Sequence, residues 1–201
     1  MSIDRRYIIS GSNDKTVKIF CLEKKETPVN IKNAHENWIL SVVVSPDGRY
    51  ILSGSRDASI KVYDLESHKP IDHFKDIHDG KKEKYIFLKL IILDWINSIA
   101  VTPDSQYVVS GSSDEKIKIH EIKGGKCVYD SQDKIKGSVS SVAISPDGKF
   151  VVCGTGSSIA ILHIKNEGET YNFTQPKINL INDAHEGIFL FLQSSIYNIY
   201  P

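Results

Sequence analysis

The sequence is poor in the features that announce most functional classes. It has three cysteines, Cys21, Cys127 and Cys153, an odd number without metal-ligand spacing. That argues against a disulfide framework and for a reducing compartment. Charge of one sign is not in excess: 25 basic residues balance 25 acidic ones, for a formal net charge of +0. A nucleic-acid or anionic-membrane binder normally carries a basic excess on one face. Long apolar runs are missing as well. The most apolar stretch, Tyr85 to Leu93, is interrupted by Lys89 and is far shorter than the ~20 residues that cross a bilayer as a helix. The opening Met1-Ser2-Ile3-Asp4-Arg5-Arg6 is polar, unlike a secretory signal. A soluble, cytoplasmic protein with neither a nucleic-acid nor a membrane partner is expected. The 40% hydrophobic and 9% aromatic content still supplies a core, which excludes disorder of the whole chain.

Catalytic signatures are equally scarce. The sequence has no Gly-x-Ser-x-Gly elbow, Walker loop, kinase catalytic-loop pattern or His-Glu-x-x-His. Gly154-Thr155-Gly156-Ser157-Ser158 resembles a phosphate loop in composition, but it leads into the strand-like Ile159-Ala160-Ile161-Leu162. A phosphate loop needs a helix N-terminus, so this one reads as a turn. His68, His73 and His78 recur every five residues, a spacing that alternates faces of a strand and lacks the further ligands of a zinc site. Asn172-Phe173-Thr174 is a glycosylation sequon, idle without secretion. No enzyme activity, no cofactor and no metal is expected.

What the sequence does contain is a repeat. Tyr-Ile-Ile-Ser-Gly-Ser at 7–12 returns as Tyr-Ile-Leu-Ser-Gly-Ser at 50–55 and Tyr-Val-Val-Ser-Gly-Ser at 107–112, with a weaker copy, Phe-Val-Val-Cys-Gly-Thr, at 150–155. The shared glycines Gly11, Gly54, Gly111 and Gly154 lie 43, 57 and 43 residues apart. Ahead of the last three copies stand turn signals: Ser45-Pro46-Asp47-Gly48, Thr102-Pro103-Asp104-Ser105 and Ser145-Pro146-Asp147-Gly148. Proline presets φ in such turns and glycine tolerates positive φ. The intervening runs, such as Ser41 to Val44, Tyr50 to Ser53 and Ser59 to Tyr63, are short and rich in Val, Ile, Tyr and Ser, as strands are. No stretch keeps a helical period.

A period near 43 with four short strands is that of a propeller blade. On these residues the chain resembles the WD-repeat (tryptophan–aspartate repeat) β-propeller family over roughly 1–80 and 95–187, although the Trp-Asp pair itself is absent and Tyr63-Asp64 is the nearest approach. The resemblance implies an all-β propeller segment of about four four-stranded blades, forming an open arc or incomplete ring. The blades are expected at 1–33 (incomplete), 34–76, 77–133 and 134–183, with a further repeat beginning and dissolving into a tail at 184–201. The family builds a hydrogen-bonded tetrad in each blade from a His, a Ser or Thr, an Asp and an aromatic. Carried over, the tetrad is His35, Ser53, Asp57 and Tyr63 in the second blade. The first blade offers Ser10, Asp14 and Phe20, and the third His78, Ser110 and Asp114 with His120 replacing the aromatic. The fourth has Ile135, Cys153 and Leu162 in place of His, Ser and aromatic, and no Asp, so it is expected to be the softest.

The long interval traces to 14 residues, Lys81 to Asp94, separating His78-Asp79-Gly80 from Trp95-Ile96-Asn97-Ser98. His35-Glu36-Asn37 runs straight into Trp38-Ile39-Leu40-Ser41. The segment is apolar, unlike most surface loops, and its residue types have A/T-rich codons, which motivates the hypothesis of a retained intron. The apolar tail Ile188 to Pro201 lacks the expected turn, and the chain is expected to be a fragment of a longer propeller.

The resemblance also implies a function. Such propellers are non-catalytic scaffolds that dock protein partners on the rim where the loops emerge. Matching rim positions are Asn13, Trp38, Leu40, Arg56, Trp95, Asn97 and Ser113, and Trp and Arg are enriched at binding hot spots. The alternative is a targeting or regulatory portion of a larger enzyme such as a protein kinase.

Overall fold

The computed structural model describes residues 2, 6–24, 27–75, 77–78, 94–131, 135, 137–156, 158–167 and 170–181. The turn chemistry read from the sequence organises it. Ser45 donates through Oγ to the Asp47 carboxylate (2.6 Å) and accepts the Tyr50 N–H (2.9 Å), while Asp47 accepts the Arg49 N–H at 3.1 Å. Gly48 supplies the positive φ of 71° that closes this turn. Ser145, Asp147 and Gly148 repeat the arrangement. In the third copy Thr102 and Asp104 play the same parts. Ser105 takes the glycine place at φ 60°, and its Oγ accepts the Asp47 N–H at 3.0 Å, linking two turns across a blade boundary.

Each turn joins two antiparallel strands, and the strands of each sheet are hydrogen-bonded in chain order. The first sheet is β1 (Tyr7–Gly11), β2 (Val17–Cys21) and β3 (Val29–Ile31). The second is β4 (Ile39–Val44), β5 (Tyr50–Ser55), β6 (Ile60–Asp64) and β7 (Pro70–Phe74). The third is β8 (Ile96–Val101), β9 (Tyr107–Ser112), β10 (Ile117–Glu121) and β11 (Cys127–Asp130). The fourth is β12 (Val139–Ile144), β13 (Phe150–Thr155), β14 (Ser158–Glu167) and β15 (Thr170–Ile181). Three sheets are four-stranded and the first has three strands. The described residues contain no helix, and hence none long and apolar enough to cross a membrane.

Strand alternation gives every sheet two apolar faces, and neighbouring sheets bury them against each other. Ile9, Val17 and Ile19 of the first meet Ile39, Ile51, Tyr63 and Leu65 of the second. Leu52, Ile60 and Val62 of the second meet Ile96, Ile99, Val108 and Ile122 of the third. Val109, Ile117 and Ile119 of the third meet Val139, Val142, Val151, Leu162 and Ile164 of the fourth. The leading strands β4, β8 and β12 lie side by side, stitched by the Ile99 N–H to Ser41 Oγ (3.2 Å) and the Val142 N–H to Ser98 Oγ (3.1 Å). This is an incomplete β-propeller: four blades in succession, not a closed ring among the described residues. Apart from Asp94, the atypical insert at 81–94 falls outside the described residues, as does the tail at 184–201.

Candidate protein-interaction rim

The leading strands carry a recurrent irregularity. In the β4–β5 ladder Ile39 faces Ser55 and Ser41 faces Gly54, so Leu40 is an extra residue. Asn97 is the extra residue between Ile96 and Ser98, and Ser140 between Val139 and Ser141. A bulge of this kind twists the strand and re-aims its side chain. Just ahead of it, the Trp38 carbonyl accepts the Arg56 N–H at 2.9 Å, and the Trp95 carbonyl accepts the Ser113 N–H at 3.0 Å. Each tryptophan is thereby fixed to the turn between the second and third strands of its own blade.

Those bonds assemble a cluster across two blades. The Arg56 guanidinium lies between two indole rings, 4.1 Å from the Trp38 centroid and 3.6 Å from that of Trp95. A cation–π contact on each face contributes about 0.5–2 kcal/mol. Arg56 Nε is buried and has no hydrogen-bond partner among the described residues. Trp38 remains exposed and Leu40 is half-buried. The other rim candidates behave differently. Asn97 donates through Nδ2 to Ser113 Oγ (3.0 Å) and to the Val139 carbonyl (2.9 Å), so it ties the third blade to the fourth. Asn13 stands exposed in the turn between β1 and β2.

Beneath the rim, His35 Nδ1 lies 2.9 Å from Asp57 Oδ2, and its Nε2 lies 2.8 Å from Ser53 Oγ. Tyr63 differs from the carried-over pattern. Its hydroxyl donates to the Ala34 carbonyl at 3.2 Å instead of joining the serine. Ser59 is an unforeseen member, 3.1 Å from His35 Nδ1 and donating to Asp57 at 2.6 Å; a serine two residues after the aspartate was the available signal. In the third blade His78 joins Asp114 (3.0 Å) and Ser110 (2.8 Å). His120 makes no such bond: it is buried, stacks on Phe74 with ring centroids 6.2 Å apart, and its Nδ1 has no partner among the described residues. The first blade leaves Phe20 exposed, Ser10 half-buried and Asp14 exposed, with Asp14 bonding to Thr16 and Ser12 among the described residues. In the fourth, Ile135, Cys153 and Leu162 share one apolar cluster.

Electrostatics follow the geometry. Burial pushes the Asp57 and Asp114 carboxyls up, but hydrogen bonds from His35 and Ser59, and from His78 and Ser112, override it and hold both below the ordinary carboxylate range. Burial, helped by His78 and Lys118, lowers His120 to about 4. The order Ser–His–Asp imitates a catalytic triad, yet Ser53 and Ser110 are buried, as are their histidines. The arrangement also recurs in two blades, as a structural bond does.

The family described as WD domain, G-beta repeat matches residues 1–21, 26–64, 93–121 and 125–161, more than half of the chain. No curated protein matches the chain. Each matched segment contains one copy of the repeated strand, at 7–12, 50–55, 107–112 or 150–155, and the chain therefore belongs to the WD40 repeat family.

Proposed function

We propose that the chain is a non-catalytic, cytoplasmic protein-interaction scaffold whose blades, at 1–33, 34–76, 77–133 and 134–183, present the Trp38–Arg56–Trp95 cluster to a protein partner. WD40 repeats generally mediate protein–protein interaction, and three free thiols suit a reducing compartment. The observation that carries the reading is the clamped Arg56. Its guanidinium is held rigid by two rings from neighbouring blades while Trp38 stays exposed. A preorganised Trp–Arg–Trp group is the composition of a binding hot spot, where little side-chain entropy remains to be lost. Leu40 extends the contact, and Asn97 and Ser113 hold the neighbouring blade in place.

The test is affinity capture on the immobilised chain, compared with Trp38→Ala and Arg56→Ala. Proteins retained by the wild type are expected to be lost from both variants while their thermal midpoints and circular dichroism stay close to wild type. Equal retention by the variants overturns this site.

A further inference from the structure

Between the first and second blades runs an open groove of about 510 Å³. One wall is the stretch 31–34 that leaves β3, and the other is Lys61 and Tyr63 of β6 with residues 70–73 of β7. The Tyr63 hydroxyl, bonded to the Ala34 carbonyl, joins the two walls. Ile71, the extra residue where the β6–β7 register shifts, is 50% exposed here. None of the lining residues belongs to the Trp38–Arg56–Trp95 cluster.

The charges of this groove depart from the repeat. In the third blade Lys118 and Asp130 are cross-strand partners, and their side chains form an ion pair at 3.3 Å. The equivalent partners in the second blade, 57 residues earlier, are Lys61 and His73. A histidine thus stands where the next blade places the lysine's carboxylate. No side-chain hydrogen bond or ion pair is formed by Lys61, His73 or exposed Lys32 among the described residues. Asp72 does not take the missing part. It is the cross-strand partner of Val62, which packs on the third blade, and its carboxylate accepts the N–H groups of Gly124 (3.1 Å) and His73 (2.8 Å). Partial burial, followed by the charges of Lys61 and Lys75, holds the His73 imidazole below its ordinary range, with Asp57 opposing. Asp57 is itself engaged by His35, Ser59 and the Glu36 N–H.

We propose that this groove binds an acidic segment of a protein partner, with carboxylates against Lys61, His73 and Lys32 and an apolar side chain against Ile71. A partner carboxylate takes at Lys61 the place that Asp130 holds at Lys118. Bonds between such charged groups are stronger than neutral ones. The chain leaves these cations without a carboxylate of its own, and charge complementarity of this kind selects acidic partners and rejects basic ones.

The test is fluorescence anisotropy of a labelled peptide of alternating glutamate and leucine, titrated with the 201-residue chain at low salt. Saturable binding is expected, and none for the matching peptide of lysine and leucine. His73→Asp gives the second blade the lysine–aspartate pair of the third, so this variant is expected to keep the wild-type circular dichroism. Its affinity for the acidic peptide is expected to fall about tenfold or more, the loss of a charge-assisted bond. Lys61→Gln is expected to weaken binding in the same way. Lys123→Ala removes an exposed lysine outside the groove, and Arg56→Ala removes the rim cation; both are expected to bind like wild type. No binding of the acidic peptide, equal binding of the basic one, or wild-type affinity in His73→Asp and Lys61→Gln overturns the proposal. A loss confined to Arg56→Ala seats the peptide on the rim and overturns the groove while leaving the rim site standing.

Discussion

His78 Nδ1 stands 3.0 Å from each oxygen of Asp114, with both side chains almost wholly out of solvent. The contact joins the segment leading to the third blade's first strand to the turn between β9 and β10. Removing the carboxylate strands a buried ring nitrogen without a partner, and a bond to a charged group is worth about 1.5–3 kcal/mol. Asp114→Ala is expected to lower the unfolding free energy by about that amount, read from urea denaturation. Asp14 occupies the same repeat position but is exposed and bonds no histidine among the described residues. Asp14→Ala is expected to leave the denaturation midpoint where it is. Equal losses from the two substitutions would remove the tetrad from any account of stability.

The pH dependence has its own source in the third blade. His120 is held down to about 4 by burial first and by neighbouring His78 and Lys118 second, with Asp130 opposing. An unfolded histidine titrates near 6.5, so between pH 6.5 and 4 the unfolded chain binds the extra proton. Stability from this group is complete above the unfolded value and declines as pH falls toward the folded one, by at most ~1.4 kcal/mol per unit. The low Asp57 and Asp114 carboxyls act further down: their contribution is present above the ordinary carboxylate pKa and is lost as pH falls through their folded values. His120→Phe is expected to flatten the decline between pH 6.5 and 4 and to raise the thermal midpoint at pH 5 relative to wild type. Parallel pH profiles for the two proteins would place the titrating group elsewhere.

The repeat made the fold legible, because one blade's strand pattern was written four times and its turn chemistry three. A single Tyr-Ile-Leu-Ser-Gly-Ser could be any strand, but its return at a fixed interval fixes the architecture. The individual members of the rim were legible from the same phase. Their mutual arrangement was not, since the Arg56 clamp depends on a ring from the next blade, and no spacing within one repeat reports a neighbour's approach. Tyr63 escaped for a related reason. A tyrosine reaches farther than its ring, and its hydroxyl finds the Ala34 carbonyl before any tetrad side chain. The bulges at Leu40, Asn97 and Ser140 have no glycine or proline to mark them.

The glycine of each Ser-Gly-Ser strand answers to the next blade. A Cβ on Gly54 would lie 2.8 Å from Ile96 Cγ2 and 3.1 Å from Ile99 Cγ2. One on Gly111 would collide with Val139 and Val142. The obstacles are β-branched side chains on leading strands, with few alternative rotamers. Overpacking of this kind costs about 1–3 kcal/mol. Gly54→Ala and Gly111→Ala are each expected to destabilise by that amount, measured by urea denaturation. Ala at Gly48, where nothing lies within 4 Å but φ is 71°, is expected to act through backbone strain alone, with a loss nearer 1 kcal/mol. A neutral Gly111→Ala would mean that the blades sit farther apart than described.

The fourth blade looked weakest by its missing tetrad, but its packing argues for a substitution of one kind of core by another. Ile135, Cys153 and Leu162 are buried together with Val139, Val142 and Ala160, where the second and third blades hold histidine, serine and a Tyr63 or His120 ring, beside an aspartate that the fourth blade lacks. Replacing a buried charged group by apolar residues of similar volume is often neutral or stabilising, because no desolvation has to be offset. The apolar version should then resist a partial return to the polar one. Cys153→Ser places a hydroxyl in this apolar cluster, and a poorly satisfied buried hydroxyl costs about 1–3 kcal/mol. The variant is expected to lose that much by urea denaturation and to expose β13 to hydrogen exchange before β5. Burial also pushes the Cys153 thiol well above its ordinary range, so iodoacetamide at pH 8 should label exposed Cys127 in the native protein and spare Cys153. Labelling of Cys153 at the rate of Cys127, or a Cys153→Ser variant as stable as wild type, would show that this blade is open after all.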